Sequence, residues 1–206
     1  MKEDVHMLER VLALFISYGI RSVTMEDIAR ELGISKKTLY TAFDDKDDLI
    51  RRVIAFDNSQ SRKFYAEINK SDMNAIQEIF QLNSRIHSVR SRYSAAFNYD
   101  LKRYYPEIFR VWLQEKRAGM YRMITENLWK GKREGLYRRE IKEEAIANLY
   151  LVRMEMLEHS DIIQEHASRS YEFMKEIFTY HLHGICNEEG LKFFSRFKKT
   201  IENLQD

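Results

Sequence analysis

The chain has almost none of the residues that break or staple a fold. A single cysteine, Cys186, stands among 206 residues. No disulfide can form within the chain, and a reducing cytoplasm is the expected compartment. One proline, Pro106, and seven glycines leave too few turn-formers for a β-rich architecture, so a nearly all-helical fold is expected. No stretch rich in Gly, Pro or Ser marks a linker, and no strand alternation, repeat or low-complexity segment is present. The apolar run VLALFI near the N-terminus is too short for a signal sequence or a membrane span, so no membrane partner is expected. There is no G-x-S-x-G, P-loop, glycine-rich dinucleotide turn or H-E-x-x-H, and hence no expected catalytic residue, enzyme activity or cofactor. The run HLHGIC brings His181, His183 and Cys186 close in sequence. On a helix His181 and His183 point about 200° apart, so only His183 and Cys186 share a face, and two ligands close no metal site.

What is present is 44% hydrophobic and 32% charged, with a net charge of +2. That balance excludes wholesale disorder, and the net charge selects no partner. Residues 1–50 carry seven Lys or Arg against ten Asp or Glu, whereas residues 85–122 carry nine basic and three acidic side chains. Any nucleic-acid reading of the first segment must therefore rest on placement.

Leu8, Val11, Leu12 and Phe15 recur at helical spacing and predict a first helix ending near Tyr18. Thr24 is placed to cap a second, with Asp27 completing a capping box. Ile28, Ala29 and Leu32 form its buried face, and Gly33 stops it. Ser35 caps a third helix that buries Leu39 and Phe43. A fourth begins near Asp45 among acids suited to a helix N-terminus and runs to about Asn69. Further helices are predicted over 72–89, 94–104, 106–134, 142–159, 167–184 and 189–204. Pro106 suits a first turn, and Gly135 suits a position just past a helix end.

With Met25 counted as the first position of a helix-turn-helix, Ala29 falls fifth, Gly33 ninth and Leu39 fifteenth. A small residue lets the helices cross closely, a glycine accepts the left-handed turn, and an apolar residue locks the second helix onto the first. The helix from Ser35 to Phe43 is then the one to enter a major groove. Lys36 and Lys37 can reach phosphates or guanine edges. Thr38 and Thr41 can bond a phosphate or touch a thymine methyl. Tyr40 can set its hydroxyl on a phosphate, and Thr24 and Lys46 flank the same surface. Lysines and threonines on a short helix are ordinarily a solvated face; the spacing, caps and core positions together favour double-stranded DNA as partner.

The run GIRSVTMEDIARELGISKKTLYTAFDDKDDLI resembles the DNA-binding domain of the tetracycline-repressor (TetR) family of bacterial regulators. Gly19, Thr24, Ile28, Ala29, Gly33, Ser35, Leu39, Tyr40, Phe43, Lys46 and Leu49 carry the resemblance. It implies an all-α homodimer: a three-helix DNA-binding domain, residues 1–50, joined by a long helix to a helical ligand-binding and dimerisation domain, residues 51–206. It also implies that Tyr40 and Lys46 hold phosphates. KGKREGLYRREIKEEAIANLYL looks like the family's loop between its seventh and eighth helices, and the tail from Glu189 to Gln205 looks like an additional helix.

The resemblance implies a transcription regulator, more naturally a repressor released from a palindromic operator by a small-molecule inducer. Candidate inducer contacts are Phe80, Asn83, Phe97, Tyr104, Trp112, Tyr121 and Trp129; the alternative for each is core packing. The basic excess over 85–122 suits an anionic inducer or a solvated surface. The apolar residues Ile146, Leu149, Met156, Tyr171, Met174 and Phe178 exceed what one face per helix needs, which marks them as dimer-interface candidates. Control by a protein partner is the rival within this class. Outside it, the rival is a helical small-molecule-binding or catalytic protein with a vestigial helix-turn-helix.

Overall fold

A computed structural model describes residues 2–159 and 171–202. The described residues form ten α-helices. These are α1 (Lys2–Tyr18), α2 (Met25–Leu32), α3 (Lys36–Ala42), α4 (Lys46–Asn69) and α5 (Ala75–Arg92). They continue with α6 (Ala95–Tyr104), α7 (Pro106–Arg133), α8 (Glu143–His159), α9 (Tyr171–Ile185) and α10 (Glu188–Glu202). The all-α expectation holds, and the extra C-terminal helix is α10. The start predicted for α9, residues 167–170, lies outside the described residues. Among them, no helix is long and apolar enough to cross a membrane.

The chain divides into two compact units. Unit 1 joins the described residues up to Ala66 to Val89–Arg117, and unit 2 joins Glu67–Ser88 to those from Ala118 onward. The helices after Val89, as far as Arg117, thus pack with the N-terminal ones. The physical reason is core size, because three short helices alone close little apolar area. In unit 1, Val11, Phe15, Ile28, Leu39, Leu49 and Val53 pack in one cluster with Phe97 and Leu101 of α6 and Trp112 of α7. Backbone groups follow the packing: Ser94 N–H donates to the Ile16 carbonyl at 3.3 Å. A polar seam runs through the same unit. The buried Asp57 carboxylate accepts from Tyr93 Oη at 2.5 Å and Trp112 Nε1 at 3.0 Å, with Lys116 Nζ at 3.5 Å.

Unit 2 is organised around Tyr137, whose side chain is fully buried. Its hydroxyl donates to Asn127 Oδ1 at 3.1 Å, and Asn127 Nδ2 donates to the Ala75 carbonyl at 2.8 Å. Burial pushes the Tyr137 phenol well above its ordinary range. Lys130 Nζ completes the network on Glu78 Oε1 at 2.5 Å and the Met73 carbonyl at 2.6 Å. The loop after α7 is held by an isolated antiparallel bridge between Tyr137 and Cys186. In it, Arg138 N–H donates to the Ile185 carbonyl at 2.9 Å. Helix α10 buries Phe194, which meets Phe178 of α9 edge-on at 6.2 Å.

Two glycines are required for different reasons. Gly33 sits at φ +71° with open space around it, so a methyl there meets only backbone strain. Gly131 has an ordinary backbone, but a methyl there overlaps the Tyr137 ring. We expect Gly33→Ala to cost roughly 1–2 kcal/mol. Gly131→Ala should cost about 3 kcal/mol or more, because the buried ring has no room to retreat. Denaturant unfolding of the two variants measures the difference, and a Gly131→Ala protein as stable as the parent contradicts the packing described.

Candidate nucleic-acid interface

The turn that sets α3 against α2 is encoded locally. Thr24 caps α2 from an extended conformation. Asp27 N–H donates to Thr24 Oγ1 at 3.1 Å, and Thr24 N–H donates back to Asp27 Oδ2 at 2.9 Å. Hydrogen bonds donated to it by the Thr24 hydroxyl and then by the Thr24 N–H hold the Asp27 carboxyl below its ordinary pKa. At the other end Gly33 takes the left-handed conformation, and Ile34 N–H reaches back to the Ala29 carbonyl at 3.0 Å. That closes the helix in the Schellman manner. Ser35 then caps α3, accepting from Thr38 N–H at 3.0 Å.

Helix α3 has one inward residue, Leu39, which is fully buried; Phe43 seals its end at 5% exposure. Everything else on it faces out. Lys36, Lys37, Thr38, Tyr40 and Thr41 are all exposed. The hydroxyls are not all equally available, since Thr41 Oγ1 donates to the Thr38 carbonyl at 2.6 Å. Oγ of Ser35 lies 2.8 Å from Thr38 Oγ1, and Thr24 Oγ1 donates to Asp27 Oδ2 at 2.6 Å. Thr24 and Ser35 are thus caps first, while the donors turned outward with most freedom are Lys36, Lys37 and Tyr40.

Four of the ten acids of this segment are engaged by structure. Asp27 belongs to the α2 cap. Asp45 accepts from Asp48 N–H at 2.7 Å at the start of α4, and Asp48 pairs with Arg52 at 2.9 Å. Glu31 pairs with Arg10 at 3.2 Å.

Lys46 also serves the chain's own backbone. Its ammonium donates to the carbonyls of Ile20 at 2.7 Å and Val23 at 2.6 Å. It is half-buried, and that burial holds its pKa below the ordinary lysine value. The turn between α1 and α2 has carbonyls with no helical partner, and Lys46 supplies one. Asp100 of α6, which sequence reasoning passed over, completes the clamp by accepting Arg21 N–H at 2.8 Å. An acid so far away in sequence gave no local signal of this role.

The seven inducer candidates are divided between the two units, with Phe97, Tyr104 and Trp112 in unit 1 and Phe80, Asn83, Tyr121 and Trp129 in unit 2. Phe97 and Trp112 are core residues of unit 1, at 0% and 7% exposure. Tyr104, also in unit 1, is exposed, with the Arg21 guanidinium 4.2 Å from its ring centre. In unit 2 Phe80 packs against Phe178 at 5.9 Å and Phe197 at 5.3 Å. Asn83 and Tyr121 are half-buried. Trp129 is exposed and lines a surface groove with Glu126, Lys132 and Arg133.

Among the dimer candidates, Met174 and Phe178 turn into unit 2, at 2% and 4% exposure, because α9 needs them for its own core. Ile146 is half-buried, and the side chain of Tyr171 lies outside the described residues. Leu149 and Met156 are exposed at 62% and 49%, and Val152 joins them at 54%. Spaced three and four apart, these form one apolar stripe on α8. Tyr180 of α9 is 82% exposed.

Comparison with known proteins agrees with this geometry. Residues 8–53 match the profile of bacterial regulatory proteins, tetR family. An HTH-type transcriptional regulator of Staphylococcus aureus strain USA300 is 35% identical over 83 residues, which are 40% of this chain and 44% of that protein. The chain thus aligns with less than half the length of this curated relative. Among solved structures, the reduced form of NemR from Escherichia coli superposes with a TM-score of 0.70 at 12% identity, covering 91% of this chain and 98% of the other. A transcriptional regulator from Cytophaga hutchinsonii gives 0.69 at 19% identity, covering 88% and 97%. A TetR-family regulator from Agrobacterium tumefaciens gives 0.64 at 17%, covering 90% and 98%. At these identities the likeness establishes the fold.

Lys46→Ala leaves two turn carbonyls without their donor, so it should lower stability by about 1–3 kcal/mol. Lys36→Ala and Lys37→Ala, on an exposed face, should each change it by less than about 0.5 kcal/mol. Thermal melting of the three variants separates the roles. A Lys46→Ala protein that melts with the parent removes the structural assignment.

Proposed function

We propose that this chain, whose residues 8–53 are a DNA-binding domain of the tetR family of bacterial regulatory proteins, is a transcription regulator that reads a two-fold operator as a homodimer. The observation that carries the reading is α3 itself. It is a helix locked by one buried leucine, capped at its start, and presenting Lys36, Lys37 and Tyr40 outward. A solvated face needs no such bracing; a helix that must enter a groove at a fixed angle does. Thr38 and Thr41 stand beside the three donors, and Thr24, Ser35 and Lys46 hold the frame. Lys46 keeps one ammonium N–H beyond its two carbonyl bonds, available to a phosphate.

Repression with ligand release is the form of regulation we favour, with unit 2 as effector domain. Phe80, Asn83, Tyr121 and Trp129 are the sequence candidates that fall within it. A small molecule can displace the DNA-bound state only by its differential affinity for the two states. A tenfold loss of operator affinity requires about 1.4 kcal/mol of preference. The cytoplasm, where DNA is met and Cys186 stays reduced, is the corresponding location.

Selection of bound DNA from a random pool tests the reading. Two identical α3 helices related by a two-fold axis should recover an inverted repeat. Recovery of a single asymmetric half-site, bound by a monomer at full affinity, contradicts it. On the recovered site, Lys36→Ala and Lys37→Ala should each lower the salt dependence of binding by about one unit where the lysine holds a phosphate. A lysine that reads guanine should instead alter the preferred sequence. A double variant that binds like the parent removes α3 from the interface.

The stripe Leu149, Val152 and Met156 is the proposed dimer seam, with half-buried Ile146 of α8 and exposed Tyr180 of α9 as further candidates. Three apolar side chains at helical spacing are costly to leave in water, and a second copy offers the same stripe across a two-fold axis. Val152→Glu and Leu149→Glu should yield a folded monomer that binds the full operator at least tenfold more weakly, as sedimentation and titration would read. A dimer unchanged by both substitutions places the seam elsewhere.

A further inference from the structure

Among the described residues of unit 2, buried polar groups are paired almost throughout, as the Glu78–Lys130–Asn127–Tyr137 network illustrates. One cluster is the exception. Tyr150 and Arg153 of α8 and His181 of α9 come together with the Tyr150 and His181 rings edge-on at 5.2 Å. The Arg153 guanidinium lies 4.0 Å from the Tyr150 ring centre. Four polar atoms here are closed off from solvent: Tyr150 Oη, Arg153 Nε and Nη2, and His181 Nε2. Tyr150 Oη lies close enough to the Arg153 guanidinium to feel its charge, but none of the four makes a hydrogen bond of ordinary geometry. Arg153 is half-buried as a residue, but two enclosed guanidinium nitrogens without an acceptor are costly, and native proteins rarely leave them so.

The identity of the unpaired atoms specifies what is missing. Nε and Nη2 form one edge of the guanidinium, two parallel N–H groups that match the two oxygens of a carboxylate. Tyr150 Oη adds a third donor on the adjoining side chain. The charge is also limited to one. Burial, with Arg153 beside it, pushes the His181 imidazole down to about 3, so it is neutral at physiological pH. A single fixed positive charge suits a monoanion and leaves a phosphate dianion uncompensated. The place of the cluster in unit 2, read as the effector domain, favours a small molecule over the side chain of a second protein.

We propose that Arg153, Tyr150 and His181 form the binding site for the carboxylate group of a small organic acid, with Arg153 as its bidentate anchor. This rests on reading unit 2 as an effector domain and names the chemical class of the effector.

The test uses the full chain with benzoate and octanoate as probes, and benzamide and octanamide as neutral counterparts of the same shape. Thermal shift and calorimetry are read on the parent, Arg153→Met and Arg153→Lys. The expected result is stabilisation of the parent by a carboxylate and not by its amide. Arg153→Met, which fills similar volume without charge, should weaken that binding about 10- to 100-fold. Arg153→Lys should recover only part of it, since a lysine cannot make the two-pronged contact. The ligand-free Arg153→Met protein should melt at or above the parent, because an uncompensated buried charge has been removed. The inference is overturned if amides act as carboxylates do, if no probe carboxylate stabilises the parent, or if carboxylate binding survives Arg153→Met. A marked fall in the melting temperature of ligand-free Arg153→Met also overturns it, since the guanidinium then already has an acceptor within the chain. Operator binding by the same parent preparation, without added acid, tests the regulator reading separately.

Discussion

The orientation of α3 depends on the short turn between α1 and α2, whose backbone cannot satisfy itself. Lys46, at the first turn of α4, donates to the carbonyls of Ile20 and Val23, and Asp100 of α6 accepts from Arg21 N–H. Unmet backbone groups in such a half-buried turn would cost as much as the core gains from one well-packed side chain. Filling them with side chains from two other helices fixes where α2 begins. From there the Thr24 cap, the Gly33 turn and the Ser35 cap propagate that position to α3 with little freedom left. The outward face of α3 is thus defined by groups that never face outward themselves.

The same logic explains the charge pattern of the first fifty residues. An acidic excess argues against a DNA-binding surface only if the acids share that surface. Asp27, Asp45 and Asp48 are spent on helix starts, and Glu31 on Arg10, which leaves Lys36 and Lys37 on a helix that itself carries no acid. Bulk charge was a weak guide because the relevant quantity is local placement, within about 8–10 Å at ordinary ionic strength.

How much of this was legible in the sequence follows from how local each feature is. The helix-turn-helix was readable because its determinants, Thr24 with Asp27, Gly33, Ser35 with Thr38, and Leu39, lie within fifteen residues of one another and act through backbone geometry. The extent of unit 1 was not readable. Phe97, Leu101 and Trp112 reach its core from far along the chain, and an aromatic on a helix looks the same whether it lines a pocket or fills a core. The position of Lys46 at the start of α4 is legible, but its carbonyl partners, Ile20 and Val23, lie across a tertiary contact. Met174 and Phe178 were legible as apolar but not as inward. In the sequence His181 stands beside His183 and Cys186. Its actual neighbours, Tyr150 and Arg153, sit on another helix about thirty residues earlier.

The central claim is that α3 reads the major groove, and guanine N7 lies only there. Dimethyl sulfate protection on operator DNA recovered by selection therefore tests it most directly. The account predicts that the full chain protects guanines in two major-groove segments related by two-fold symmetry, their centres separated by about one helical turn of 10–10.5 base pairs or a multiple of it. Protection should disappear when Lys36 and Lys37 are both replaced by alanine. Tight binding with guanine N7 fully reactive throughout the site would contradict the claim, placing the contact on the backbone or in the minor groove.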